Sequence, residues 1–192
     1  MTSKINIPVM AFQSAMEWRT WLTKNAQNSK GIWLKIFKKD STEKTITYAE
    51  ALDEALCFGW IDGQKNSFDQ QAWLQKFCPR SPKSIWSKVN IEHIERLTKL
   101  GKMEPAGLIA VEAAKADGRW DMAYDSSSKM SVPDDFIKEL IKDKKAHEFF
   151  KTLNKANLYA ITFRLQTAKK PETRQKRVKT ILDMLSKGQK FH

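Results

Sequence analysis

The residues best suited to chemistry lie between Cys57 and Asn90, where aromatic side chains, glycines and prolines alternate with a few polar groups. Arg80 could offer its planar guanidinium to a phosphate or a carboxylate. Trp60 and Trp86 could supply flat faces on which a ligand stacks. We therefore interpret this segment as the wall of a pocket that binds an anion. The candidate ligand-binding residues are Trp60, Asp62, Arg80, Ser84, Trp86, Ser87 and Asn90.

The same residues allow other interpretations. Asp62 and Arg80 could form an internal ion pair while the tryptophans fill a core. In an enzyme acting on a small anionic substrate, Asp62 would be the acid or base and Arg80 the electrostatic clamp. Ser87 fits the N-cap of a helix, whose first turn would add backbone donors for an anion. We favour a non-catalytic anion-binding protein over an enzyme, and no residue is assigned a catalytic role.

The cysteines and histidines do not form a recognisable reactive site. The sequence has no short Cys-x-x-Cys or His-x-x-x-His pair that would bring Cys57, Cys78 and His93 together as metal ligands. We therefore expect no metal and no cofactor. Cys57 lies near the end of a predicted helix, where the helix dipole raises the pKa of a thiol. No Gly-x-Ser-x-Gly motif is present. These patterns argue against an enzyme with a cysteine or serine nucleophile.

Composition excludes several classes of protein. The chain has 192 residues, of which 41% are apolar and 29% are charged, as in a globular rather than a disordered protein. No apolar run approaches the roughly 20 residues of a transmembrane helix. Residues 1–8 lack the apolar stretch of a secretory signal, and two cysteines fit reduced thiols better than a disulfide framework. We therefore expect a cytoplasmic protein.

The formal net charge is +12, and most of the excess lies near the C-terminus. Residues 145–192 contain twelve Lys or Arg and three Asp or Glu, a net charge of +9. Such a segment attracts a small anion or a polyanion, and it makes non-sequence-specific nucleic-acid binding an alternative function. A solvated helix face is equally compatible with the pattern. The candidate nucleic-acid-binding residues are Lys170, Arg174, Lys176 and Arg177.

Local patterns predict an α+β fold. Capping boxes at Ser14 and Thr47 predict two helices, and alternating apolar residues predict strands at 31–38 and 72–78. We predict an α+β domain over residues 1–125, with a small antiparallel sheet, packed helices and the Trp-rich pocket region. A basic helical domain over residues 130–192 follows and is expected to dock on it. The serine-rich segment 125–129 between them has the composition of a linker.

Ordered motifs run along nearly the whole chain. They include Ala55-Leu56-Cys57-Phe58-Gly59-Trp60-Ile61-Asp62-Gly63, Pro79-Arg80-Ser81-Pro82, Trp86-Ser87-Lys88-Val89-Asn90, Pro105-Ala106-Gly107-Leu108, Asp117-Gly118-Arg119-Trp120 and Lys170-Pro171-Glu172-Thr173-Arg174. Together they resemble the YdeI/OmpD-associated family, also called bacteriocin-protection proteins. The resemblance implies a role in stress tolerance towards bacteriocins or antimicrobial peptides, and it transfers no catalytic residue. Because a net charge of +12 would repel a cationic peptide, we expect protection to act indirectly, through an anionic metabolite, nucleic acid or an envelope component.

Overall fold

The computed structural model describes residues 7–126 and 129–191. The chain forms two compact units, Met1–Ala123 and Tyr124–His192, called here the N-terminal unit and the C-terminal unit. Residues 1–6, on which the expectation about a secretory signal largely depends, lie outside the described residues. Ser127 and Ser128 of the predicted linker lie outside them as well.

The N-terminal unit combines helices with one sheet, which confirms the predicted α+β class. Its strands are β1 (Val9–Met10), β2 (Ile32–Phe37), β3 (Trp60–Ser67) and β4 (Ala72–Pro79), and they lie in the sheet in the order β1-β2-β4-β3. Strand β1 pairs in parallel with β2, while β2–β4 and β3–β4 are antiparallel. The sheet is therefore mixed rather than purely antiparallel, because a two-residue edge strand that the sequence pattern does not predict joins it. The elements in chain order are β1 (Val9–Met10), α1 (Ala15–Asn25), β2 (Ile32–Phe37), α2 (Tyr48–Cys57), β3 (Trp60–Ser67), β4 (Ala72–Pro79), α3 (Lys88–Lys99) and α4 (Pro105–Ala116).

The core of the N-terminal unit lies on one face of this sheet. Ile32, Leu34 and Ile36 alternate along β2 and are buried, as the period of two in a strand requires. Helix α1 packs on that face, with the ring centroid of Trp18 at 5.9 Å from that of Phe77 on β4. Tryptophan side chains of this unit, such as that of Trp18, are therefore part of its core.

Two glycines join helix α2 to the elements around it. Gly59, just after the helix, has φ +73°, the left-handed conformation that ends helices and favours glycine. Gly107 lets α4 approach the end of α2, since a Cβ atom at this position would lie 2.2 Å from the carbonyl oxygen of Cys57. The two backbones therefore meet without intervening side chains.

The C-terminal unit is helical in its described part. Its helices are α5 (Asp134–Leu140), α6 (Lys144–Lys151), α7 (Lys155–Gln166) and α8 (Pro171–Ser186). They enclose a separate core formed by Phe136, Leu140, Ala146, Ile161, Leu165, Ile181 and Leu185. Among the described residues of either unit, no helix combines the length and the apolar character needed to cross a membrane.

Candidate ligand-binding cavity

The N-terminal unit contains a cavity of about 320 Å³ beside the turn that follows α2. One wall is the outer face of α4, whose lining side chains are apolar: Ala106, Ile109, Ala110 and Ala113. The opposite wall includes Trp60 and Pro79, and Arg80 and Arg119 also line the space. The volume lies at the lower end of the range for small-molecule sites, and the mixture of apolar walls with a few polar groups is typical of them.

Backbone packing creates this cavity. The amide of Arg80 donates to the carbonyl oxygen of Gly59 at 3.0 Å, which ties the end of β4 to the turn after α2. The amide of Glu104 donates to the carbonyl oxygen of Cys57 at 3.0 Å and so anchors the start of α4. Because Ala106 and Ala110 carry only a methyl group, α4 leaves open space where larger side chains would fill it.

The guanidinium of Arg80 is held in place by an aromatic neighbour. Its central carbon lies 3.7 Å from the ring centroid of Trp86, a cation–π geometry, and its Nη1 donates to the carbonyl oxygen of Ile85 at 3.1 Å. Trp86 in turn packs on Trp120, with 5.0 Å between ring centroids. The side chain of Arg80, a lining residue, is thus held in one arrangement, which reduces the entropy that binding would cost.

Arg119 is a second cation at the cavity, and it is 8% exposed. Its Nε donates to both carboxylate oxygens of Asp117, at 2.8 and 2.7 Å. Its Nη1 donates to the carbonyl oxygen of Ser84 at 2.9 Å. Ser84, which the sequence suggested as a ligand contact, therefore positions Arg119 through its backbone. Sequence reasoning missed Arg119, although it lies in one of the motifs that carry the family resemblance.

Trp60 lines the cavity and also belongs to the core. It is 1% exposed, and its indole Nε1 donates to the carbonyl oxygen of Ala26 at 3.1 Å. The rings of Trp18 and Trp21 meet it edge-on, at centroid distances of 6.2 and 5.8 Å. Trp60 is consequently a rigid wall rather than a movable stacking platform.

The other predicted contacts do not line this cavity. Asp62 accepts a hydrogen bond from the hydroxyl of Tyr48 at 2.8 Å. Burial and the nearby Asp62 carboxylate raise the pKa of Tyr48, so the tyrosine stays a neutral donor. The hydroxyl of Ser87 caps α3 by accepting from the amide of Asn90 at 3.2 Å. Within the described residues, Asp62, Trp86, Ser87 and Asn90 are absent from the cavity lining.

The predicted nucleic-acid-binding residues lie on α8 or at its N-cap, but two of them hold the C-terminal unit together. Arg174 forms a bidentate pair with Asp135, with its Nη2 at 2.7 and 2.6 Å from the carboxylate oxygens, and it donates to the carbonyl of Leu165 at 2.8 Å. Arg177 donates to the carbonyl of Arg164 at 2.5 Å. Both arginines thereby satisfy carbonyls in the last turn of α7. Lys170 and Lys176 are exposed.

An open groove of about 630 Å³ runs beside Arg174 between α5 and α8. Asp135, Glu139 and Asp183 line it together with the cations Arg174 and Lys179. Its carboxylates outnumber its cations, so the groove is a poor place for an anion. It is larger than the cavity in the N-terminal unit, yet its charges argue against the predicted ligand class.

The two thiols are held in their neutral form. Burial raises the pKa of Cys57 to about 11, and the adjacent Glu54 carboxylate acts in the same direction. Burial also raises the pKa of Cys78. A thiol that is protonated at neutral pH is a poor nucleophile, which agrees with the sequence-based argument against thiol chemistry.

Matches to known families divide the chain close to the boundary between the N-terminal and C-terminal units. Residues 10–110 match a family described as a domain of unknown function (DUF8412). Residues 129–188 match a family described as bacteriocin-protection, YdeI or OmpD-associated. No curated protein and no solved structure matches the chain significantly. The cavity elements from α1 to the first half of α4 lie in the first match, and α5 to α8 lie in the second.

Proposed function

The C-terminal part of the chain, residues 129–188, matches the bacteriocin-protection, YdeI or OmpD-associated family, and from that premise we propose that the protein is a non-catalytic binding protein for a small amphiphilic anion. The ligand would occupy the cavity beside α4. The observation that carries this proposal is the combination of an apolar wall on α4 with two arginines, Arg80 and Arg119, in the lining of a space of about 320 Å³.

The composition of the lining favours an anion with an apolar body. Two arginines border the space, while one carboxylate, Asp117, pairs with Arg119 from outside the lining. The apolar wall would bury a hydrocarbon or ring portion of the ligand, at about 25 cal/mol per Å² of area removed from water. At about 30 Å³ per water-sized group, the cavity accommodates roughly ten non-hydrogen atoms.

Binding is favoured over turnover by the chemistry of the lining. The polar lining side chains in the described part of the chain are Gln27, Arg80, Ser81 and Arg119. Histidine and carboxylate side chains are absent from this described lining, so general acid–base catalysis lacks a candidate at this position. The hypothesis of an enzyme with Asp62 as acid or base would require a second site, near Tyr48, on a different part of the unit.

A role in bacteriocin tolerance is the functional context that the family description suggests. The net charge of +12 opposes direct capture of a cationic peptide. We infer that protection acts through the bound anion, as a change in the availability of an amphiphilic metabolite or envelope precursor.

A thermal-shift series tests the proposal. Butyrate, hexanoate, octanoate and decanoate serve as probes, with 1-octanol as the uncharged control, and unfolding is followed by tryptophan fluorescence. Since ligand binding to the folded state raises the melting temperature, octanoate should stabilise more than butyrate and more than 1-octanol. A shift that is equal for octanoate and 1-octanol, or no shift with any probe, would contradict the proposal.

Matched variants separate the contribution of the Arg80 charge from that of the apolar space beside α4. Arg80→Met keeps most of the apolar stem and should abolish the advantage of octanoate over 1-octanol. Lys83→Met removes the same charge from an exposed residue of the same loop that does not line the cavity, and should leave the advantage intact. Ala113→Phe starts from an exposed lining position and should fill the space, removing the response to both probes.

A further inference from the structure

The sheet of the N-terminal unit has a second face, opposite the buried core. It is defined by residues that pair across the strands: Val9, Trp33, Lys35, Phe37, Leu74 and Lys76. Val9 and Lys76 lie beside Trp33, and Leu74 lies opposite Lys35. Within the described residues of the unit, Trp33, Phe37 and Leu74 belong to no cluster of buried side chains. The strands thus present aromatic and aliphatic groups that the core does not use.

Lysines are interleaved with the aromatic rings on this second sheet face. The ammonium group of Lys35 lies 4.5 Å from the ring centroid of Phe37 and 4.6 Å from that of Phe68. Phe68, at the edge of the face, is 49% exposed, and Val9 on β1 is 50% exposed. Trp33 and Phe37 are four residues apart on one strand, or about 13 Å at the usual rise of about 3.3 Å per residue.

We propose that this second sheet face binds single-stranded nucleic acid. Aromatic side chains on a sheet stack on unpaired bases, and lysines between them contact the phosphates. A duplex hides its base faces in the stack and would gain only the phosphate contacts. An apolar protein partner would have to desolvate Lys35 and Lys76 at the centre of its interface, where charged residues are usually depleted.

The site differs from the basic row on α8. That row lacks interleaved aromatic residues, whereas β2 alternates Trp33, Lys35 and Phe37 in three successive positions on one face. The side chain of Lys35 is 24% exposed, so water still reaches its ammonium group, and this group can exchange the rings for a phosphate when a base stacks on Phe37.

One carboxylate near this face opposes binding. Asp69 Oδ2 lies 3.8 Å from the ammonium group of Lys35. Its Oδ1 accepts from the amides of Gln71 and Ala72, at 2.7 and 2.6 Å, and so shapes the turn before β4. Asp69→Asn retains an acceptor for the turn while removing the charge, and should tighten nucleic-acid binding about threefold.

Fluorescence anisotropy with labelled oligouridylate and oligodeoxythymidylate of about 12 nucleotides tests the proposal on the full chain. Both probes should bind more tightly than a duplex of equal length. Trp33→Leu, which keeps an apolar side chain but removes the ring, should weaken binding about tenfold. Trp33→Phe should recover most of the loss, which a purely structural role of the position would not predict. Lys35→Gln and Lys76→Gln should each lower the salt slope by about 0.7.

A control that removes two positive charges elsewhere on the chain identifies the surface that binds. The double variant Lys170→Gln with Lys176→Gln, on and beside α8, should leave the affinity within about twofold of the wild type. The proposal is overturned if only this control loses binding, if Trp33→Leu binds like the wild type, if the duplex binds as tightly as the single strands, or if no oligonucleotide binds at about 50 mM salt. Melting curves for each variant show whether a loss comes from unfolding.

Discussion

Two regions of the molecule carry arginines that suggest anion binding, and the structure uses them differently. Arg80, in the N-terminal unit, is stacked on Trp86 and borders a cavity with an apolar wall. Arg174, in the C-terminal unit, is paired with Asp135 and caps α7, beside a groove that other carboxylates also line. The denser cluster of positive charge in the sequence is therefore the poorer candidate for a small-anion site. What separates the two regions is the chemistry of the surrounding walls.

The largest effect should come from the backbone contact that forms the cavity. Gly107→Ala places a Cβ atom against the carbonyl oxygen of Cys57, so α4 must move away from α2. We expect the N-terminal unit to lose about 3 kcal/mol of its free energy of unfolding. All seven tryptophans lie in that unit, so urea unfolding followed by tryptophan fluorescence measures the loss.

Gly101→Ala is the matched control for this change. Unlike Gly107, Gly101 has a positive φ, of +65°, but no atom lies within 4 Å of the added Cβ position. Its cost should be limited to the strain of the left-handed conformation, about 1 kcal/mol. If the two variants unfold at the same urea concentration, close packing of α4 does not determine the stability of the unit.

The second effect distinguishes structural from exposed cations on α8. Arg174→Met removes the bidentate contact to Asp135 and a donor to the end of α7, and should destabilise the C-terminal unit by about 2 kcal/mol. Lys176→Met changes an exposed cation and should cost less than about 0.5 kcal/mol. Far-UV circular dichroism during urea unfolding is the appropriate measurement because it follows helices. Equal effects would show that Arg174 is as dispensable as a surface lysine.

The ion pair between Arg174 and Asp135 gives a smaller effect on stability, and this effect depends on pH. The hydrogen bond and the charge of Arg174 hold the pKa of Asp135 below its usual value. Because the folded pKa is depressed, the stabilisation is complete above the unfolded pKa of about 4 and is lost as the pH falls through the lower folded value. The carboxylate is 59% exposed, so we expect Asp135→Asn to cost only about 0.5–1 kcal/mol at neutral pH. A difference between the variant and the wild type that does not decrease as the pH falls below about 4 would contradict this assignment.

Local sequence patterns predicted the helices and strands better than the residues that line the cavity. The capping box of Thr47 and Glu50 and the N-cap at Ser87 are present, because such signals depend only on neighbouring residues. Trp60 and Arg80 were predicted as site residues and both line the cavity. The contribution of α4 was not predicted, because Ala110 and Ala113 look like ordinary helix residues until packing leaves them around an empty space. Arg174 was predicted as a phosphate contact because its partner, Asp135, is 39 residues away in the sequence.

The smallest expected effect concerns the two thiols, which should differ in the rate at which a thiol reagent modifies them. Cys57 is fully buried, and its pKa of about 11 leaves little thiolate at neutral pH. Cys78 is partly exposed and should be modified first by a thiol reagent such as dithionitrobenzoate. Cys57 should react only on unfolding, which peptide mapping after timed modification measures. Faster reaction at Cys57 would indicate that the end of α2 opens in the native state.

The central claim is that the N-terminal cavity, and not the basic C-terminal unit, holds a small amphiphilic anion. Titration of octanoate into isotope-labelled protein, followed by heteronuclear NMR, tests it residue by residue. We predict saturable shifts of the Nε–H signals of Arg80 and Arg119 and of the backbone amides from Ala106 to Ala113, with no shift at Arg174. Shifts confined to Arg174 and the lysines around α8, or no saturable shift at all, would contradict the claim.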